Sequence, residues 1–407
     1  MDKYGGYMGK VLVIDVEKQT TSLYPWSDTE REDYLGGKIM AAKIISDNVS
    51  PNVKAFDKEN IIVVSTGPLT GTNAPASSRF NISTISPLTG LLTSSNCGGN
   101  FGLSLKKAGY DALIIKNKSE SPIWIEITEE KVLFHDAKDI WGKKVSIAQS
   151  ALDSKTGKIV IGPAGENLVK YASVFSGERA AGRGGIGAVM GNKNIKAITA
   201  KGNLRPKIAE PEKTKEFYKK WIKMLKEHPL TGEQLPTLGT AGLVNQMQEK
   251  SILVTKNFKY GQYDDFEKIS GERLRKDFLI RNKGCTTCPI QCGRQVEVDG
   301  KVVKGPELET LGLLGPNLLN NDLELIIRWN LELDELGIDT MSTGGTLAFA
   351  MELNEKGLWE NNLEFGKTEN ILGIFEDIAY RRGIGNELAE GTRYLSEKYG
   401  GAEFAIH

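Results

Sequence analysis

Hydrophobic and polar positions change their rhythm once along this chain, shortly after residue 200. Before that point short apolar runs recur: "KVLVIDV", "NIIVVST", "FNISTIS", "DALIIKN", "PIWIEIT", "KVLFHDA", "KIVIGPA" and "NIKAITA", with Gly, Pro, Asn and Ser between them. Short runs rich in Val, Ile and Thr and bounded by turn formers predict β-strands. "KVLVIDV" and "TTSLYPW", separated by "EKQ", predict a hairpin. Helices are expected over "NFGLSLKKAG", directly after "CGG", and over about residues 144–153. Few long helical patterns interrupt the strands, so barrel-like or layered sheets are expected here.

Two prolines and a charge run in "KGNLRPKIAEPEKTKEF" mark a boundary around 202–212. Beyond it the apolar period is helical in "KTKEFYKKWIKMLKEH", "GERLRKDFLI", "DLELIIRWNLELDELGI", "MSTGGTLAFAMELNEKG", "NILGIFEDIAYRRG" and "NELAEGTRYLSEKYG". The expected fold class is α+β. A β-rich domain of two layered sheets, residues 1–207, precedes a mostly α-helical domain, residues 208–407.

Composition narrows the partners. Lys plus Arg equals Asp plus Glu, 52 against 52, so no global field draws nucleic acid or an anionic membrane surface. No apolar run approaches the roughly 20 residues of a membrane helix. The opening "MDKYGGYMGKVLVIDVE" lacks a signal-peptide pattern, and the reading is cytoplasmic.

Four cysteines in 407 residues are too few for a disulfide scaffold, yet three of them crowd into "CTTCPIQC" as Cys285, Cys288 and Cys292. Clustered thiols without an export signal point to metal. Zinc sites more often use two CxxC pairs or Cys with His at fixed spacing, and His135, His228 and His407 lie far off in sequence. Three sulfurs on a short loop can instead curl around one face of a [4Fe–4S] cube, which usually takes four thiolates. Zinc and three merely structural cysteines stay open as alternatives. Arg281, Lys283 and Arg294 flank the run and favour thiolates and an anionic cluster. The remaining Cys97 sits 188 positions upstream of Cys285, in a setting that suggests another job.

Three glycine-rich loops look built for phosphates or a large polar cofactor. One carries Arg79 in "SSRFNISTISPLTG"; one places Asn96, Gly98 and Gly99 before a helix start; one offers Arg179, Arg183, Gly184, Gly185 and Gly187. The last contains "GRGGIG", a form match to GxGxxG. It lacks the strand–turn–helix frame with an acidic residue about 20 positions on, so a dinucleotide fold is rejected.

Taken with "YLGGKIMAAKII", "NCGGNFG", "ERAAGRGGIGAVMGNKNIKAI", "GPELETLGLLGPN" and "DELGID", these stretches resemble the aldehyde:ferredoxin oxidoreductase family of tungsten-pterin enzymes. The resemblance implies a tungsten (or related molybdenum) ion on the dithiolenes of two pyranopterins, a Mg2+ joining their phosphates, and a [4Fe–4S] cluster passing electrons to ferredoxin. In its terms Cys285, Cys288 and Cys292 match cluster ligands, and Arg79 matches the arginine between cluster and pterin. Asn96 and Ala180 match carbonyls that help hold Mg2+. Gly98, Gly99, Arg179, Arg183 and Gly184 fall in pterin-contact loops. Asp334 and Asp339 of "DELGID" match the DxxGxD carboxylates on the pterin's amino-pyrimidine edge; read without the resemblance they are a solvated helix end. Glu309 matches a proton-handling glutamate beside the metal, with Glu307 close enough for the assignment to slip.

The implied reaction is oxidation of an aldehyde to a carboxylic acid. The resemblance also implies a homodimer and a further domain, bearing a fourth cluster cysteine, that this sequence does not contain; either a separate polypeptide supplies it or the chain is a truncated fragment unable to hold the full cofactor. Two other readings stand beside it: a non-catalytic or electron-transfer subunit that keeps the fold, and a tungsten subunit of an aromatic acyl-CoA reductase.

Overall fold

The computed structural model describes residues 4–406; His407 lies outside the described residues. Two compact units emerge, Met1–Ile222 with Cys285–Cys288, and Lys223–Gly284 with Pro289–His407. Among the described residues no helix is long and apolar enough to cross a membrane.

The first unit contains two six-stranded sheets. Its strands are β1 (Val11–Asp15), β2 (Thr20–Tyr24), β3 (Ile62–Thr66), β4 (Phe80–Ile85), β5 (Leu92–Cys97), β6 (Ala112–Lys116), β7 (Ile123–Ile127), β8 (Val132–Asp136), β9 (Gly157–Ile161), β10 (Val174–Ser176), β11 (Arg179–Ala181) and β12 (Ile195–Ala200). One sheet runs β2-β1-β6-β3-β4-β5 and the other β11-β10-β9-β12-β7-β8. The expected β1–β2 hairpin forms, in register Asp15↔Thr20 to Val11↔Tyr24. Central strands such as β3 and β12 are buried along their whole length, which explains why they are mostly Val, Ile, Ala and Thr, with Ser65 and Lys196 the exceptions. One apolar core draws on both sheets, from Leu12, Val64, Ile82 and Leu113 to Ile125, Ile159 and Ile198.

Among the described residues of this unit, three lysines are buried. Lys106 pairs with Asp111 at 2.5 Å, and Lys196 pairs with Glu166. Lys193 instead donates to the carbonyls of Asn117 at 2.8 Å and Lys58 at 3.4 Å.

Three features depart from the expected strand pattern. A helix, Gly37–Asn48, buries Met40, Ala41, Ile44 and Ile45, an i, i+1, i+4, i+5 stripe inside the "YLGGKIMAAKII" stretch. β5 was not foreseen because "LTSSNC" is almost wholly polar. "GRGGIG" does follow a strand and open a helix (β11, then Ile186–Asn192), contrary to the expected frame. Its strand returns antiparallel on β10, so no parallel crossover forms and a dinucleotide fold stays rejected.

The second unit is mostly helical, with Leu308–Leu314, Leu323–Leu336, Thr340–Glu355 and Ile371–Tyr380 as its main helices. Trp329 meets Phe375 edge-on at 5.7 Å in its core. Gly344 lets Thr340–Glu355 approach Leu308–Leu314 closely: a Cβ there would stand 2.5 Å from the Leu313 carbonyl oxygen. The helix expected over "NELAEGTRYLSEKYG" is two, Gly385–Leu388 and Thr392–Tyr399, broken where Gly391 takes φ 86°.

A larger correction concerns the cysteine run, placed between helices by its sequence. It connects β13 (Leu279–Lys283) to β14 (Gly293–Val298), and β15 (Lys301–Lys304) completes a three-stranded antiparallel sheet. The β14–β15 turn is Asp299-Gly300, both at positive φ, the Asp-Gly hairpin signal in plain sight within "VEVDGKVV".

Candidate cofactor site

The glycine loops converge in the first unit because β4, β5, β10 and β11 end there together. In the β4–β5 register Phe80 faces Cys97 and Asn81 faces Asn96, so the next positions outward are Arg79 and Gly98. Asn81 Nδ2 donates to Asn96 Oδ1 at 3.1 Å. β5 and β11 are edge strands of the two sheets and lie beside one another, which sets Asn96 and Ala180 on neighbouring edges. Arg79, Asn96 and Arg183 are exposed there.

Gly98 is packed against the cysteine loop. A Cβ on it would stand 2.8 Å from Cys285 Sγ and 3.3 Å from Arg179 Cγ. Gly99, at φ 88°, is equally confined: its Cβ would meet the carbonyl oxygen and Oγ of Ser176, each at 2.7 Å. Ser176 is opposite Arg179 in the β10–β11 hairpin. Gly184, at φ 87°, backs onto Thr93 of β5. Side chains of Cys285, Arg179, Ser176 and Thr93 pack directly onto the backbone of these loops, and each of these glycines would collide with one of them if it gained a side chain.

The first half of the cysteine loop is fastened to the same place. Thr286 Oγ1 donates to Asn100 Oδ1 at 2.8 Å, and the Thr287 hydroxyl is shared between the Thr286 carbonyl at 2.6 Å and the Ala74 carbonyl at 3.1 Å. Cys288 N–H donates to the Cys285 carbonyl at 3.1 Å, folding the CTTC turn. Thr287 holds φ 62°, a left-handed conformation costly for a β-branched residue. Thr286, Thr287 and Ser176 escaped the sequence reading; the two threonines between the cysteines were the available signal.

Cys285, Cys288 and Cys292 are all half-buried, and none of the four cysteines forms a disulfide. Among the described residues no group of three or more His, Cys, Asp or Glu side chains is arranged to hold a metal ion. Cys97 is buried in the sheet core at 1% exposure, consistent with its expected separate role.

In the second unit "DELGID" is the joint between two helices. Gly337, at φ 81°, ends Leu323–Leu336, and Asp339 caps Thr340–Glu355. The Asp339 carboxylate accepts from Ser342 N–H at 3.1 Å and Ser342 Oγ at 2.6 Å. Asp334 pairs with Lys304 Nζ at 3.0 Å, a partner the sequence reading missed. Burial pushes the Asp334 carboxyl above the usual carboxylate range, and Lys304 opposes that rise. Both aspartates thus already accept bonds within the protein. Glu309 lies exposed in the first turn of Leu308–Leu314, two residues past the N-cap Glu307.

Exposed arginines and asparagine over a glycine-lined backbone suit a large anionic, polar cofactor, and a thiol at the same point suits an iron–sulfur neighbour. The N-terminal domain model of aldehyde ferredoxin oxidoreductase matches residues 11–202, and the model of its domains 2 and 3 matches residues 216–407. The tungsten-containing aldehyde ferredoxin oxidoreductase of Pyrococcus furiosus is 42% identical over 418 residues, covering 99% of this chain and 69% of that protein. Its counterpart in Thermococcus kodakarensis is 40% identical over 417 residues, again covering 99% and 69%. Among solved structures, the active site complex BamBC of benzoyl coenzyme A reductase superposes with a TM-score of 0.85 at 29% identity, covering 98% of this chain and 64% of that one. The chain thus spans about two thirds of the length of these proteins. On two family-model matches and this identity, the chain belongs to the aldehyde ferredoxin oxidoreductase family.

Proposed function

We propose that this protein is a tungsten-pterin oxidoreductase that converts an aldehyde and water to a carboxylic acid, releasing a pair of electrons through a [4Fe–4S] cluster to ferredoxin. The observation that carries the reading is the meeting of Cys285, Gly98 and Arg179. A candidate cluster thiol abuts the loop that would hold the pterin, so an electron leaving one group need travel little distance to the other.

The bound tungsten-pterin would supply the oxygen-atom and two-electron chemistry. The chain's own residues bind and orient it. Arg79 and Arg183 offer planar forks of N–H donors to phosphate or ring acceptors. The backbone at Asn96 and Ala180 offers carbonyls to Mg2+, a hard ion that takes oxygen ligands. Cys285, Cys288 and Cys292 would ligate the cluster, and Asp334 and Asp339 would bond the amino edge of a pterin in competition with Lys304 and the helix cap. Glu309 would carry protons near the reacting carbon.

A second reading has one specific support, the likeness to the BamBC complex. There the same site would act as a low-potential reductase, adding two electrons and two protons to the aromatic ring of an acyl-CoA and leaving its thioester intact. Assays of the anaerobically purified protein decide between them. Viologen-coupled oxidation of short aliphatic and aromatic aldehydes is expected. Turnover confined to an aromatic acyl-CoA would favour the second reading, and a folded protein inert to both would leave a non-catalytic or electron-relay subunit.

A further inference from the structure

The second half of the cysteine loop is held by a group the proposed chemistry does not use. Arg294 is 5% exposed on β14. Its Nη1 donates to the carbonyls of Gln291 at 3.0 Å and Gly293 at 2.9 Å, the residues on either side of Cys292, and its Nη2 donates to the Leu235 carbonyl. Its Nε–H, also buried, has no acceptor among the described residues. Gly239, at φ 68°, makes room for this grip: a Cβ there would stand 2.8 Å from the Cys292 carbonyl oxygen and 3.3 Å from Arg294 Cζ. The guanidinium therefore packs directly against the Cys292 backbone, out of water, with carbonyls around it and, among the described residues, no carboxylate bonded to it.

We infer that Arg294 is a positioning residue that fixes Cys292 and sets the reduction potential of the cluster this loop holds; the inference rests on the reading of Cys292 as a cluster ligand. Reduction adds one electron to an already anionic cluster. A buried cation beside one thiolate favours the more negative, reduced form, and burial leaves its field poorly screened. Hydrogen bonding and charge around the ligating sulfurs are among the terms by which proteins set such potentials. The two carbonyl bonds orient the chain at Cys292, and the charge shifts the potential upward.

The test compares the wild-type protein with Arg294→Gln and Arg294→Lys. It reads iron content, the EPR signal of the reduced cluster and its midpoint potential in a dye-mediated titration. Arg294→Gln is expected to lower the potential, and Arg294→Lys, which keeps the charge, to stay nearer the wild type. If Arg294→Gln fails to assemble the cluster, retention of iron by Arg294→Lys supports the same assignment. Equal potentials in wild type and a fully loaded Arg294→Gln overturn it, as does equal iron loss in both variants. Failure of the underlying reading looks different: wild-type protein would then show no cluster signal, or Cys292→Ala would keep it unchanged.

Discussion

Replacing Gly98 by alanine adds a single methyl group at the point where the glycine loop, the β10–β11 hairpin and the cysteine loop meet. The new carbon would stand 2.8 Å from Cys285 Sγ, 3.3 Å from Arg179 Cγ and 3.6 Å from Arg179 Cδ. Ordinary non-bonded contacts lie at about 3.5–4.0 Å, so the sulfur must retreat by about 1 Å. Both neighbours are side-chain atoms able to rotate, which keeps the folding cost near the low end of overpacking, about 1 kcal/mol. A ligand sulfur shifted by that much no longer meets its iron, so cluster occupancy should fall far more than stability.

Gly102→Ala is the control. Its Cβ would meet the side chain of Phe80 at 3.0 Å, in the core, with none of Cys285, Cys288 and Cys292 among its nearest atoms. It should cost about 1–3 kcal/mol from overpacking, partly offset by roughly 1 kcal/mol of helix propensity, while leaving the cluster intact. Iron content and visible absorption of anaerobic protein, beside urea unfolding, separate the two. Full wild-type iron in Gly98→Ala, or equal iron loss in both variants, would refute the packing argument.

Burial pushes the Lys193 ammonium down to about 8. The folded state therefore gives up this proton before the unfolded chain does, and stability attributable to Lys193 rises as pH climbs from about 8 to about 10.5, by about 3 kcal/mol. Lys193→Met should remove that slope, so urea midpoints of wild type and variant should converge or cross between pH 7.5 and 10; parallel curves would contradict it. Gly344→Ala drives a Cβ into the Leu313 carbonyl, which as backbone cannot swing aside, and should lower unfolding free energy by about 2–3 kcal/mol; an unchanged denaturation midpoint would count against the close helix approach. Thr286→Val and Thr287→Val each remove a hydroxyl that ties the CTTC turn to Asn100 or Ala74. Each should cost about 1 kcal/mol and speed iron loss to a chelator, and serine at either place should restore the wild-type rate.

Elements made of apolar runs were legible because burial on both faces demands such runs, as in β3, β6 and β12. The elements that build the site were not. β5 lines the loops with polar side chains, so it carries none of the apolar signal by which strands are recognised. β10 and β11 span three residues each, too short for any period to register. The cysteine run was read as helix-flanked because "GERLRKDFLI" continues a helical pattern into Leu279, while the Asp299-Gly300 turn that sets the β-hairpin went unused. Cys285 beside Gly98 is a meeting of residues 187 positions apart, visible only through the motifs as a set. Asp339 shows the opposite limit, since a helix-capping role and a ligand-binding role use the same residue type in the same place.

Metal analysis and low-temperature EPR of the anaerobically purified protein, with and without Cys288→Ala, test the central claim most directly. The account predicts tungsten together with about four irons per chain in the wild type, and in Cys288→Ala a loss of the iron signal with tungsten retained. Wild-type protein free of both metals, or a Cys288→Ala variant with its iron signal unaltered, would contradict it.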